Sequence, residues 1–124
     1  MGDLHQLGPK GEAYALELLR ARGHQLLQRN FRCKEGELDI ITWQAGTLVF
    51  VEVKARADKT PYNPAEAVGI EKRRKIIRTA KFYLARRAGK GPVPPCRFDV
   101  VWLTAKGPEI TGGGVIEGAF GESD

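Results

Sequence analysis

Cysteine and histidine are scarce in this chain, with two of each among 124 residues. Cys33 and Cys96 lie far apart, form no C-x-x-C pair, and have no histidine at ligand spacing. Thiolate-based zinc sites and a disulfide scaffold are therefore poor descriptions, and two reduced thiols are expected. No apolar run approaches the roughly 20 residues that span a bilayer. The start of the chain lacks the apolar block of a secretory signal, carrying Asp3, Lys10 and a Gly-Pro turn instead. A cytoplasmic protein with no membrane association is expected. Repeats and low-complexity blocks are also missing.

What is present fits one domain spanning residues 1–124, with a core over about 8–103 and a Gly-rich tail over 104–124. Hydrophobic residues make up 42% and charged residues 28%, enough for a core without cross-links. The net charge of +5 favours an anionic partner, and nucleic acid is the commonest.

Periodicity predicts a helix over residues 11–22, stopped by Gly23, then an extended segment over 24–33 and a turn at Gly36. Residues 37–43 and 48–54 read as paired strands around a short Gly-containing loop at 44–47. A polar, proline-bearing loop covers 57–64, and a second helix covers 65–88 with a break at Gly69. Its buried stripe is Ile76, Ile77, Ala80, Tyr83 and Leu84. A Gly/Pro linker precedes a strand over 97–103. The tail is expected to wrap the surface or add a ragged edge strand. The order is αβββαβ, an α/β fold with a mixed sheet flanked by helices.

The hairpin carries the chemistry. If Trp43 pairs with Leu48, Asp39 falls opposite Glu52 and Glu37 opposite Lys54. Opposed residues share a face, with Cβ atoms ~4.5–5.5 Å apart, so two carboxylates meet with a lysine two residues along. A one-residue slip would separate them. Opposed acids repel, and a divalent cation offsets that repulsion. Mg²⁺ suits carboxylate oxygens supplemented by waters and substrate phosphate. Such an ion activates water and polarises a phosphodiester, while Lys54 stabilises developing charge. On the first helix Glu12 points into the apolar face, with Leu16 and Leu19 within about 40° of it and Ala15 about 60° away. An inward glutamate needs a partner, although helix-start acids also answer the dipole.

Gly11-Glu12, Arg29-Asn30, Gly36-Glu37-Leu38-Asp39, Val49 through Lys54, Lys72, Ala80 and Arg97 through Val101 together resemble the YraN family of small bacterial proteins. The resemblance covers about four fifths of the chain, residues 7–103. That family is placed in the PD-(D/E)XK nuclease superfamily and is similar to archaeal Holliday-junction resolvases. The resemblance implies a restriction-endonuclease-like core and a Mg²⁺- or Mn²⁺-dependent endonuclease acting on DNA, including branched or junction DNA. It gives the catalytic and metal roles to Asp39, Glu52 and Lys54, with Glu12 as the helix acid and the Val53 carbonyl as a further ligand. Glu37 is expected to support the site rather than join it. One departure is Leu38, which stands where many members have proline before the aspartate. A resolvase makes two symmetric cuts, which implies a homodimer.

Between Glu71 and Lys90 there are nine Lys or Arg residues and one acid. Arg74, Arg78 and Lys81 fall on one ridge, with Lys72 and Lys75 at its start. The ridge is expected to contact phosphates, and Lys72 to reach the scissile one. Arg20, Arg22, Arg29, Arg32 and Lys34 extend the track. His5 and His24 read as surface or cap residues. Trp43 and Trp102 are expected to pack on the sheet, and Asp99 to form a structural salt bridge with a helix arginine. A non-catalytic nucleic-acid-binding module on the same fold is the main alternative, and a protein-interaction adaptor the second.

Overall fold

The hairpin sets the frame of the molecule. In the computed structural model, which describes residues 7–57, 68–87 and 91–122, Trp43 pairs with Leu48 and Gln44 with Thr47. The turn is thus tighter than the four-residue loop expected, at Ala45 and Gly46. Both have positive φ, 47° and 84°, which matches the twist of a two-residue hairpin. The register is as expected over the paired residues, from Ile40 with Val51 to Gln44 with Thr47.

Helix α1 (Pro9–Ala21) precedes strands β1 (Gln25–Cys33), β2 (Gly36–Gln44) and β3 (Thr47–Ala57). Helix α2 (Ile70–Arg86) follows, then β4 (Cys96–Lys106) and β5 (Glu109–Phe120). The sheet order is β1-β2-β3-β4-β5, with β3 and β4 parallel and all other neighbours antiparallel. This is the αβββαβ order of a restriction-endonuclease-like core, with one further strand. Gly23, at φ 86°, closes α1 by donating to the Arg20 carbonyl at 2.9 Å. Gly69 is the N-cap of α2 rather than a break inside it. The proposed loop over 57–64, the first residues of that helix and His5 lie largely or wholly outside the described residues.

Each helix covers one face of the sheet. Against α1 lie Ile40, Val49, Val51, Val53, Val101 and Leu103, closed by Ala15, Leu16 and Leu19. Against α2 lie Phe31, Leu38, Ile41, Leu48, Phe50 and Val100, closed by Ile76, Ile77 and Ala80. On this second face Tyr83 stands edge-on to Phe31 and Phe50, with ring centroids 5.2 and 5.9 Å away.

The tail takes the second of the two forms expected. It forms β5, a 12-residue edge strand. The run Gly112-Gly113-Gly114 lies within it, paired with Thr104, Leu103 and Trp102. A Cβ on Gly113 would stand 2.7 Å from the Trp102 carbonyl oxygen, and one on Gly114 would stand 2.8 Å from the Trp102 ring. Glycine is required there because β5 passes closely over β4 and its tryptophan.

His24 is likewise not a surface residue. It is buried, and its Nδ1 meets the Thr42 hydroxyl at 2.6 Å. Burial lowers its pKa, so the neutral ring is favoured. Asp99 does form a structural ion pair, but with Arg97 on its own strand at 2.9 Å rather than with a helix arginine. It also accepts the Gly118 amide. Cys33 and Cys96 are free thiols.

Candidate active site

A break in β2 builds the site. Leu38 and Ile41 both face α2, while Ile40 faces α1. In a regular strand residues three apart point to opposite faces, so the pleat is interrupted between them, at Asp39. The register against β1 is continuous here and shifts only between Leu26 and Gln28. Arg29 pairs with Ile40 and Phe31 with Leu38, which leaves Asn30 opposite Asp39. Asn30 sits in the left-handed region at φ 53°, a conformation asparagine tolerates better than most residues.

On the other side, the β2–β3 ladder runs only as far as Ile40 with Val51. Beyond that pair, the Asp39 carboxylate replaces the strand as acceptor, taking the Val53 amide at 2.8 Å. The break therefore turns the Asp39 side chain back onto β3, beside Glu52.

Glu52 is 5% exposed, and the Asp39 carboxyl lies within hydrogen-bonding reach of it. Burial is the main cause that pushes the Glu52 carboxyl up to about 8, and the neighbouring Asp39 charge adds to it. The Lys72 ammonium opposes the shift. Its Nζ lies 3.3 Å from Glu52 Oε2 and comes from the first turn of α2. Lys54 follows Glu52 by two positions and is half-buried. Of the residues read from the sequence, Asp39, Glu52, Val53 and Lys72 are therefore brought together by direct contacts, with Lys54 next along β3.

Two others are held elsewhere. The Glu12 carboxylate lies 3.0 Å from an Arg29 guanidinium nitrogen, so its partner is a β1 arginine. The alignment is not that of a hydrogen bond, and Glu12 Oε1 is buried without one. Among the described residues no three acidic, histidine or cysteine side chains gather closely enough to hold a metal ion. The anticipated opposition of Glu37 and Lys54 is also not part of the ladder. Glu37 pairs with Arg32 of β1, their charged atoms 3.1 Å apart.

The basic surface is less bare than the sequence implies. Arg78 reaches Glu35 at 3.6 Å, and Lys81 pairs with Glu122. Of the β1-side group, Arg20 contacts Glu17 at 3.9 Å, and Arg29 and Arg32 hold the acids named above. Apart from Arg29–Glu12, whose acid is largely buried, these exposed pairs are weak and yield readily to a polyanion. A cleft of about 340 Å³ opens between α2 and the β1–β2 turn, lined by Arg32, Cys33, Gly36, Glu37, Lys72, Lys75 and Ile76. Lys72 thus connects the acid pair to an open, mostly polar groove. The cleft was not visible in the sequence, because the β1–β2 turn and α2 are about 40 residues apart.

Comparison with known proteins fixes the lineage. The model of the uncharacterised protein family UPF0102 matches residues 11–103. A UPF0102 protein of Chlorobium phaeobacteroides is 42% identical over 113 residues, covering 91% of this chain and 86% of its own. One from Symbiobacterium thermophilum is 48% identical over 96 residues, covering 77% and 80%. One from Moorella thermoacetica is 43% identical over 115 residues, covering 91% and 93%.

The chain belongs to the UPF0102 family.

UPF0102 is the YraN family, so the resemblance read from the motifs holds. The UPF0102 match takes in Glu12, the Asp39–Glu52 pair, Lys54 and the whole of α2, and it ends before β5. Among the described residues of this UPF0102 chain, no helix is long and apolar enough to cross a membrane.

Proposed function

We propose that this UPF0102 protein is a divalent-cation-dependent nuclease that hydrolyses phosphodiester bonds in DNA. One observation carries the reading. Asp39 and Glu52 put two carboxylates together at a nearly buried position where burial and mutual repulsion make the doubly ionised state costly. A stability role gains nothing from such an arrangement. A cation site does, because the same two groups become favourable once a charge of +2 lies between them.

The donor set fits a hard cation. Two carboxylates and the Val53 carbonyl would hold Mg²⁺ or Mn²⁺, leaving positions for waters and a phosphate oxygen. When bound, the ion supplies a more acidic water and a polarised phosphodiester. The remaining work belongs to the chain. The Val53 amide fixes the Asp39 carboxylate in one rotamer. Glu52 is held rigidly within β3, paired in parallel with Val100. Lys54 is the group placed to steady charge developing on the phosphate. Lys72 is paired with Glu52 and lines the open cleft, so it can exchange the carboxylate for a substrate phosphate without leaving the site. Glu12 serves through Arg29 rather than as a ligand.

A second reading has an observation of its own. Lys72 already neutralises part of the acid pair, as it would in a domain that only binds nucleic acid. Cleavage assays separate the two. Linear duplex, single-stranded, flapped and four-way-junction DNA would be incubated with Mg²⁺ or Mn²⁺, beside Asp39→Ala and Glu52→Ala variants. The nuclease reading expects metal-dependent cutting that both variants abolish. Salt-sensitive binding without cutting on any substrate would leave the binding module. Preference for the junction would further require two copies of the chain, measurable by light scattering.

A further inference from the structure

A second cleft, of about 570 Å³, lies where β1 meets the last turn of α2. Gln28, Asn30 and Arg32 line it from the strand, and Tyr83, Arg86 and Arg87 from the helix. It is the size of a small-molecule site, with room for one nucleotide. Two features set it apart from the rest of the basic surface. Its lining holds three guanidinium groups, two carboxamides and the rings of Phe31 and Tyr83 but no carboxylate, although Arg32 also pairs with Glu37 outside it. It also adjoins the acid pair along two routes. Arg32 is a wall shared with the cleft that contains Lys72. Asn30 lies opposite Asp39 across the β1–β2 pair, and its left-handed backbone falls at the level of that aspartate.

Guanidinium groups bind phosphate, carboxamides pair with base edges, and an aromatic wall beside arginine suits an exposed base. A base within a duplex is stacked and cannot enter a pocket of this kind. A base in an overhang, flap or branch can. We propose that this cleft receives an unpaired nucleotide of the DNA strand whose backbone continues to Asp39 and Glu52. The inference rests on the nuclease reading and narrows its substrate to DNA with a single-stranded segment beside the cleaved bond.

Asn30 then has a defined role. It is a positioning residue at the step between the two sites, with its carboxamide in the cleft and its backbone opposite Asp39. Arg86 and Arg87 are suitable probes of the cleft because neither supports the core. Arg86 is exposed, with its guanidinium 5.8 Å from the centre of the Phe82 ring. Arg87 closes α2 through its backbone amide rather than its side chain.

The test is fluorescence anisotropy on hairpin DNA that is either blunt or extended by a single-stranded arm, in chelator so that nothing is cut. The wild-type chain is expected to bind the extended form about tenfold more tightly, the scale of one stacked base. The Arg86→Ala/Arg87→Ala variant should lose that preference while its affinity for the blunt hairpin changes less than the preference does. Asn30→Gly accommodates the left-handed backbone and removes the side chain that carries the carboxamide, so a partial loss of the preference in this variant supports the same site. Equal binding of both forms by the wild-type chain, or an equal loss on both in the double variant, would overturn the inference. Parallel cleavage assays keep the two ideas separate. Cutting of blunt duplex with no arm preference sinks the cleft alone. An arm preference that depends on Arg86 and Arg87, without cutting, sustains the cleft and sinks the nuclease.

Discussion

The Asp39 carboxylate takes the Val53 amide at 2.8 Å, at the point where the β2–β3 ladder stops. A side chain thus does what a backbone carbonyl does elsewhere in the pair. The exchange orients the acid toward Glu52 and leaves the Val53 amide satisfied although Val53 is fully buried. Structure and chemistry share one hydrogen bond, so substitutions at Asp39 separate into two effects.

Asp39→Asn and Asp39→Ala both remove the charge, but only the alanine leaves the Val53 amide without its partner. A buried unsatisfied donor costs ~1–3 kcal/mol. Urea denaturation in chelator should therefore find Asp39→Ala less stable than Asp39→Asn by about that amount. Both variants should also lose the Mn²⁺-induced stabilisation that the proposed function expects of the wild-type chain. Equal stability of the two would mean that the Val53 amide has another acceptor.

The pH dependence of stability follows from Glu52. Its carboxyl titrates near 4.5 in the unfolded chain and is raised to about 8 in the fold by burial and by Asp39. Between those values the unfolded state releases the proton and the folded state keeps it. Stability of the cation-free protein should therefore be highest below about pH 4.5 as far as this group is concerned, fall as pH rises toward 8, and level off above. Glu52→Gln should flatten that slope. Denaturation curves collected across the window, with chelator and then with excess Mg²⁺, check both statements, since a bound cation should also flatten it. A slope that is the same in Glu52→Gln would assign the dependence to another group.

Lys72 competes with any cation for Glu52, because its ammonium already lies 3.3 Å from the carboxylate. Lys72→Met keeps the length of the side chain and removes the charge. Mn²⁺ affinity, followed by the thermal shift it causes, should rise about fivefold, the equivalent of roughly 1 kcal/mol for a partly exposed ion pair. DNA affinity should fall at the same time, and more steeply at low salt. The opposite signs are the diagnostic feature. A fall in both would mean that Lys72 supports the site only structurally.

Much of this was legible before any coordinates. The alternation around Gly46 indicates the hairpin and its register, and the register leaves Asp39 level with Glu52, where the contact with the Val53 amide completes the approach. The β-strand core was readable for the same reason, since Leu48 to Val53 are buried almost without interruption. Other features depend on contacts remote in sequence. Glu12 was rightly seen as an acid needing a partner, but the choice of Arg29 over the metal site follows from how α1 crosses β1. Glu37 was assigned by counting a regular pleat, and the strand break at Asp39 defeats such counting. Periodicity does not show that break. His24 was misjudged because a lone histidine carries no periodic signal, and only packing shows it beneath Thr42.

The Gly-rich tail, expected either to wrap the surface or to add an edge strand, takes the second form, and it yields a prediction away from the site. Composition does not show why three glycines stand in a row there, whereas packing does: Gly113 and Gly114 face the Trp102 carbonyl and indole at distances no side chain tolerates. Gly113→Ala forces β5 off β4, because the obstructing atom is backbone and cannot rotate away. The cost should be ~1–3 kcal/mol, as for an overpacked core. Gly112→Ala meets only the Thr104 hydroxyl, at 3.3 Å, and should cost less. Because β4 carries Val100 beside Glu52, a loosened β5 should lower the melting temperature while Mn²⁺ affinity at low temperature stays unchanged. Loss of both together would show that β5 supports the acid pair directly. The UPF0102 model match ends at residue 103, so the strand would then belong to the site although it lies beyond the matched core.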